Sequence, residues 1–413
     1  MPELDRSVAV LIVKIGRYPL HHGGLGAIRT LGRLGVPVHA ITEDRFTPAA
    51  LSRYLHRRFV WPTNGTEDPA GLVEGLLEIG RRIGGRVIAL PTDDEAAVLL
   101  AEHRDALTEQ FVLPKVPPDL PRRLADKLTL YKLCLANGVP AAVSAKPGSL
   151  EELLRVAEEI GYPVVLKNAE PWARLRAPAV AGTTVVASEP EMRSLAGAWS
   201  AMPQVLVQEY LPDRHGAQDW IAQAYCDTAS DSIVAFSGVK VRSWPPHAGV
   251  TTRAYATANE ELVESTTLLC RDIGYSGIID LDWRFDPMDG RYKLLDFNPR
   301  VGAQFRLFET DAGIDVVRAL HLDLSGRPVP PGRQVDGRSL RVENLDLPAA
   351  WAYGRQSWRR PPGVPRGVTE LAWAATDDLL PAMVAAARSG APAAGMLGRT
   401  LRAGWARYPG WKR

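Results

Sequence analysis

Cysteine, net charge and long apolar runs are all scarce in this chain, and each shortage removes a class of function. Cys134, Cys226 and Cys270 are the only cysteines in 413 residues. Odd in number and far apart, they suit neither a disulfide framework nor a zinc cluster, and a reducing cytoplasm is the expected setting. The 49 Lys and Arg nearly cancel the 47 Asp and Glu, so no global field draws in nucleic acid or an anionic membrane, and neither is expected as a partner. Any anion site must be local. No apolar stretch is long enough to span a bilayer; the nearest candidate, 379–397, carries Arg388 and two prolines. The first apolar run, 8–13, follows Glu3 and Asp5 and reads as a strand rather than a signal segment. The 8 histidines show no metal-ligand spacing, and His21 with His22 reads as a solvated loop. A GxGxxG is missing too. Gly23, Gly24 and Gly26 have the wrong spacing for a dinucleotide loop, which argues against a dehydrogenase, and read as a turn that packs a helix on a strand.

What remains is a globular composition, 46% hydrophobic and 23% charged, in a chain long enough for two to three domains. Residues 8–118 alternate strand (8–13, 36–41, 87–90) and helix (24–34, 72–83), the pattern of a parallel sheet covered by helices. The prolines of 114–121 mark a boundary. Leu124, Leu128, Tyr131 and Leu135 then recur at helical spacing until Gly138 and Pro140. Ser149 and Glu152 form a capping box that opens a helix reaching Ile160. A short strand ends at Lys167, and the loop 169–182 after it is placed to fold over a polyphosphate as a lid. Strands at 205–208, 221–225 and 233–241 precede a helix at 260–273. Residues 331–413, rich in Arg, Ala, Pro and Trp, read as a helical appendage.

The densest chemistry lies in a predicted hairpin. Asp282, in the run Ile-Ile-Asp-Leu-Asp-Trp, and Asp296, Asn298 and Arg300, in Leu-Leu-Asp-Phe-Asn-Pro-Arg, flank a turn containing Pro287, Asp289 and Gly290. Alternation puts Asp280 and Asp282 on one face, and Asp296, Asn298 and Arg300 on one face. Hard oxygen ligands beside a fixed cation suit magnesium with substrate phosphates, and the arginine suits a developing oxyanion. The plainer alternative is a surface hairpin with ordinary charges.

Further candidates are spread along the chain. Lys127 lies on a helix, and Lys167 ends a buried strand. Residues 208–212, Gln-Glu-Tyr-Leu-Pro, resemble a hinge whose Glu209 and Leu211 backbone groups face an adenine edge. Asp219 is placed for ribose hydroxyls. Lys240 and Arg242 alternate with valines, so both are expected on one strand face, awaiting an anion.

In this order and spacing, from about Arg123 to Pro330, the set resembles the ATP-grasp ligases, and most closely the carboxylate-amine ligases to which D-aspartate ligases belong. The run from Gly238 to Pro246 with Gly249 and Thr251 looks like that subset's GRKxRxxPP segment. The resemblance implies an α/β chain in three parts. A Rossmann-like pre-ATP-grasp domain would span 1–118, a two-lobed α+β ATP-grasp domain 119–330 (lobes about 119–205 and 206–330), and a helical extension 331–413. Lys127 and Lys167 would then hold ATP phosphates, Glu209, Tyr210 and Leu211 the adenine, and Asp219 the ribose. Asp282, Asp296 and Asn298 would ligate magnesium, with manganese as the substitute, and Arg300, Lys240 and Arg242 would serve the acyl-phosphate chemistry. Asp282 and Asp296 depart from the glutamate frequent in the family. An amide-forming ligase acting on a carboxylate and an amine, amino acid or peptide, is the leading expectation, with a homodimer possible. Transfer to a thiol or carrier protein, or nucleotide binding without turnover, stays open at this point.

Overall fold

The computed structural model describes residues 3–169, 178–180, 183–211, 216–246 and 249–390. Val10, Leu11, Ile12 and Val13 are all buried, so the strand Ala9–Val13 is covered on both faces, as the central strand of a parallel sheet must be. It pairs in parallel with Val38–Thr42 and Val87–Pro91. The outer strands Arg57–Val60 and Phe111–Val112 complete a five-stranded sheet. The expected α/β opening domain is therefore present. Its first helix starts two residues before the predicted one, at His22–Gly32, because the His21 side chain caps it by accepting from Gly24 N. The glycines at 23 and 26 sit inside that helix. A Cβ at Gly23 would lie 2.8 Å from Ala303 Cα, and one at Gly26 2.8 Å from Arg306 Nε. They let the helix press against residues 303–306.

The helical spacing of Leu124, Leu128, Tyr131 and Leu135 runs across two helices, not one, Leu120–Ala125 and Lys127–Ala136. Asp126 breaks them apart: its backbone is extended, and its carboxylate caps the second helix by accepting from Thr129 N at 2.8 Å. Leu135, counted with the apolar stripe, is exposed. The break makes Lys127 the first residue of its helix. The capping box at 149–152 is realised with one change of partner, since Ser149 caps Glu152 N while the Glu152 carboxylate accepts from Gly148 N.

A four-stranded antiparallel sheet follows, in the order Ser144–Ala145, Val205–Glu209, Val164–Asn168, Thr184–Val186. The helices Leu150–Ile160 and Glu189–Ala196 bury Leu153, Val156 and Met192 against it. The third sheet has seven strands: Arg291–Asn298, Gly277–Asp286, Gln218–Cys226, Ser232–Trp244, Val250–Ala256, Ser339–Arg341 and Thr369–Leu371. Helix Glu260–Asp272 covers one face through Leu262 and Leu269. The C-terminal segment carries the expected helix, Glu343–Tyr353, and beyond that expectation adds the last two strands to this sheet. No described helix is long and apolar enough to cross a membrane.

The C-terminal segment is also fastened to the first domain by Arg29, which is fully buried. Arg29 Nε lies 2.9 Å from Asp378 Oδ2, and its Nη2 donates to the carbonyls of Trp373 and Asp378, each at 2.8 Å. Asp378 in turn accepts from Ser52 Oγ and Arg53 N. Removing one member of a buried pair leaves the other charged and unpaired, so Arg29→Ala should lower unfolding stability by about 3–5 kcal/mol. Chemical denaturation measures it, and a loss below about 1 kcal/mol would show that the pair is solvated.

Candidate active site

The hairpin has the predicted antiparallel register, with Asp282 opposite Asp296 and Asp280 opposite Asn298. Its turn is closed by Asp286 and Asp289, which accept from Met288 N and Arg291 N, and by Gly290 at φ +70°. Directly opposed residues of an antiparallel pair share a face. All four, with Arg300, line one cavity of about 730 Å³ together with Lys127, Lys167 and Lys240.

Each opposed carboxylate is met by a lysine from another element. Lys127, at the start of its helix, pairs with Asp296, and Lys240 Nζ lies 3.4 Å from Asp282. Burial alone would raise the Asp296 pKa, but Lys127, Lys167 and Lys240 outweigh it and hold the carboxyl far below the usual range. Burial lowers the Lys127 and Lys240 ammonium pKa values and the two aspartates raise them, with the aspartates prevailing. Lys167 is the converse case, pulled down by burial more than Asp296 pulls it up. Asn298 Nδ2 donates to the Asp280 carbonyl at 3.0 Å, which leaves its amide oxygen as an acceptor. No group of three His, Cys, Asp or Glu side chains among the described residues is arranged to hold a metal alone. Two opposed carboxylates with one amide oxygen nevertheless fit magnesium, which is commonly held by one or two carboxylates and completed by substrate phosphates.

A narrower space of about 140 Å³ adjoins this cavity and shares Lys167, Lys240, Asp282 and Asp296 with it. Its walls come from both sheets, Val165 and Val185 on one side and Trp283 and Leu295 on the other, with Glu209, Tyr210 and Leu211 along the rim. That is a slot for a flat ring. One expected contact is altered. The Glu209 amide already donates to the Val143 carbonyl at 2.8 Å, and its carboxylate takes Lys293 at 3.2 Å, so the Glu209 N–H is not available to a base edge. Asp219 lines the same slot but is held by Arg284 through contacts of 2.6 and 2.9 Å.

Arg242 requires a correction. It was expected on the same face as Lys240, waiting for an anion, but irregularities on either side of it break the alternation. Lys240 turns into the cleft, whereas Arg242 is fully buried and grips both oxygens of Asp346 at 2.6 and 2.8 Å beneath the Trp358 ring. It holds helix Glu343–Tyr353 on the sheet and lines neither of the two cavities described above. The lid expected over 169–182 lies largely outside the described residues.

Sequence reasoning missed the wall contributed by the first domain. Tyr18, His21, His22, Thr92, Asp93 and Asp94 line the wide cavity, and they stand after the strands Ala9–Val13 and Val87–Pro91. Carboxyl ends of parallel strands are where such sheets place ligands, so the run Thr-Asp-Asp-Glu at 92–95 was an available signal. His21 and His22 correct the expectation of a solvated loop: one caps a helix at the cavity and the other is buried. Asp94 holds Arg300 Nε at 3.1 Å, and Asp280 lies 3.5 Å from Arg300 Nη1. Asp280 also accepts from Gln223 and Gln304, at 2.9 and 2.8 Å.

Next to Asp94, burial first and then Asp93 push the Glu95 carboxyl up to about 8. A raised folded pKa means that this group costs nothing below its unfolded value near 4.5 and costs progressively more as pH climbs towards 8. Glu95→Gln should therefore match wild type in denaturant stability at pH 4.5 and exceed it by on the order of 2 kcal/mol at pH 8. A gap that stays constant with pH would contradict the burial of that charge.

No family model matches the chain. It is 22% identical to D-aspartate ligase of Enterococcus faecium over 298 residues, 68% of each protein. Biotin carboxylase of Allochromatium vinosum is 25% identical over 235 residues, 53% of this chain and 49% of that one. The chain thus spans about two thirds of the first relative and about half of the second. Among solved structures, N5-carboxyaminoimidazole synthetase from Staphylococcus aureus superposes with a TM-score of 0.58 at 13% identity, over 79% of this chain and 80% of that one. The biotin carboxylase domain of Hydrogenobacter thermophilus 2-oxoglutarate carboxylase, solved with MgADP and bicarbonate, gives 0.56 at 16% identity, over 79% and 71%. The two-lobed cleft over a Rossmann-like domain is the ATP-grasp fold. The chain therefore shares the fold of these solved structures, and its sequence is similar to a D-aspartate ligase and a biotin carboxylase, in line with the resemblance its motifs carry.

Proposed function

We propose that this protein uses ATP to convert a substrate carboxylate into an acyl phosphate, joins that acyl group to an amine, and releases ADP and phosphate. The observation that carries the proposal is the opposed pair Asp282 and Asp296, each held by a lysine, where the ring slot meets the wide cavity. Adenine would lie between Val165, Val185 and Leu295, read by Tyr210 and the Leu211 amide, with Asp219 and Arg284 by the ribose. Lys127 and Lys167 would turn to the phosphates, because polyphosphate is a stronger attractor than a single carboxylate. Asp282, Asp296 and the Asn298 amide oxygen would hold magnesium, which when bound supplies neutralisation of the charge spread over the transferring oxygens.

Lys240, held by Asp282 in the same cavity as Arg300, would neutralise charge on the phosphoryl group as it passes to the acid. Arg300, pinned by Asp94 and Asp280, presents its planar cation to the acyl group and stabilises the oxyanion as the amine adds. Arg242 takes no part. The wide cavity beyond Arg300, walled by Tyr18, Thr92, Asp93 and Asp94, is where the amine would approach, and its acidic side chains favour an amino acid or peptide entering as an ammonium.

The test is an ADP-release screen of amino acids and short peptides in pairs, with mass spectrometry of the product. An amide formed with one ADP per bond is expected. Asp296→Asn should keep the fold and reduce turnover by about a hundredfold or more, as the loss of several kcal/mol of charge stabilisation requires. Near wild-type ADP release from that variant at saturating magnesium would remove Asp296 from the metal platform.

A further inference from the structure

The His21 imidazole lines the same cavity as Arg300 and feels its charge, and one ring nitrogen is occupied by a helix-capping hydrogen bond. Its Nδ1 accepts from Gly24 N at 3.3 Å, capping helix His22–Gly32. A nitrogen that accepts carries no hydrogen, so the proton of the neutral ring is on Nε2. Among the described residues Nε2 has no hydrogen-bond partner, and His21 lines the same wide cavity as Arg300, Asn298 and Asp94. The ring has room because residue 23 is glycine: a Cβ there would fall 2.8 Å from His21 Cε1. Burial, with Arg300 and Lys14 nearby, pushes the imidazole down to about 3, so the ring is neutral throughout the working range.

A neutral donor beside a guanidinium has few suitable occupants. An ammonium finds no acceptor on Nε2–H and is repelled by Arg300. A phosphate has the lysines and the metal platform further along the cleft. An oxygen of the substrate acyl group, reached from both Arg300 and His21, satisfies both donors, and gains most when it becomes an oxyanion.

Resting on the ligase reading above, we propose that His21 is a catalytic residue whose Nε2–H, together with Arg300, holds the acyl oxygen during amide formation. The ammonium first gives a proton to solvent; the amine lone pair then forms the C–N bond, and the carbonyl pair moves onto that oxygen. Collapse then breaks the bond to phosphate, which leaves with the amine's proton. His21 exchanges no proton in this sequence. It differs in this from a general base.

His21→Asn separates the roles, since asparagine is a good helix N-cap but too short to reach the acyl oxygen. The full-length variant should bind MgADP by calorimetry as wild type does and form product about a hundredfold more slowly, by the same factor at pH 6.5 and 8.5. Retention of full rate, a parallel loss of MgADP affinity, or a deficit that depends on pH would each overturn the assignment. Should the variant fail to fold, the imidazole nitrogens of ¹⁵N-histidine-labelled wild type decide. The His21 Nε2–H signal should shift when acetyl phosphate and MgADP are added together and stay put with MgADP alone, and an unmoved signal in the first case counts against the proposal. Wild type that binds MgADP yet makes no product from any acid and amine would remove the ligase reading, and this one with it.

Discussion

Asp282 and Asp296 face each other across a hairpin, and two ionised carboxylates in that position repel unless cations are held against them. At an effective dielectric near 20, one unit charge about 4 Å from another is worth roughly 4 kcal/mol, comparable to a large part of a domain's net stability. Lys127 and Lys240 supply the compensation, from a helix start and from a neighbouring strand. Much of the local architecture serves this meeting. Asp126 breaks the helix so that Lys127 begins a new one, and the irregularity after Lys240 sends Arg242 into the core and leaves Lys240 in the cleft. The lysines thus act as place-holders for the positive charge that a metal would bring.

At the other end of the cavity the same principle joins two domains. Arg300 lies between Asp94, from the first domain, and Asp280, from the hairpin. The guanidinium is therefore oriented by groups that do not belong to one element, and its geometry depends on how the first sheet sits on the third. The packing of helix His22–Gly32 against residues 303–306, made possible by Gly23 and Gly26, fixes that relation, and the buried Arg29–Asp378 pair secures it from the C-terminal side. The candidate site and the interdomain core are one construction.

The hairpin was legible in the sequence because turn residues and period-two alternation are local signals, and its register follows from them. The three central strands of the parallel sheet were legible because they are mostly apolar, whereas Arg57–Val60, which opens on two arginines, and the two-residue Phe111–Val112 were not. The helix break at Asp126 was hidden, since a stripe of leucines runs through it and capping decides the break. Arg242 was misplaced because strand alternation holds only while the ladder is regular, and its partner Asp346 is 104 residues away. The wall of His21, Asp93 and Asp94 was missed because its role arises only when the first sheet is set against Arg300. The strands at 339–341 and 369–371 are three residues each, too short to carry a pattern.

The claim that these lysine-held carboxylates form a metal platform completed only by nucleotide can be tested by electron paramagnetic resonance with Mn²⁺ in place of Mg²⁺. With the lysines neutralising Asp282 and Asp296, the account predicts weak Mn²⁺ binding to the protein alone and tight, one-to-one binding once ADP is present, lost in Asp296→Asn. Tight Mn²⁺ binding without nucleotide, or ADP affinity indifferent to the metal, would contradict it.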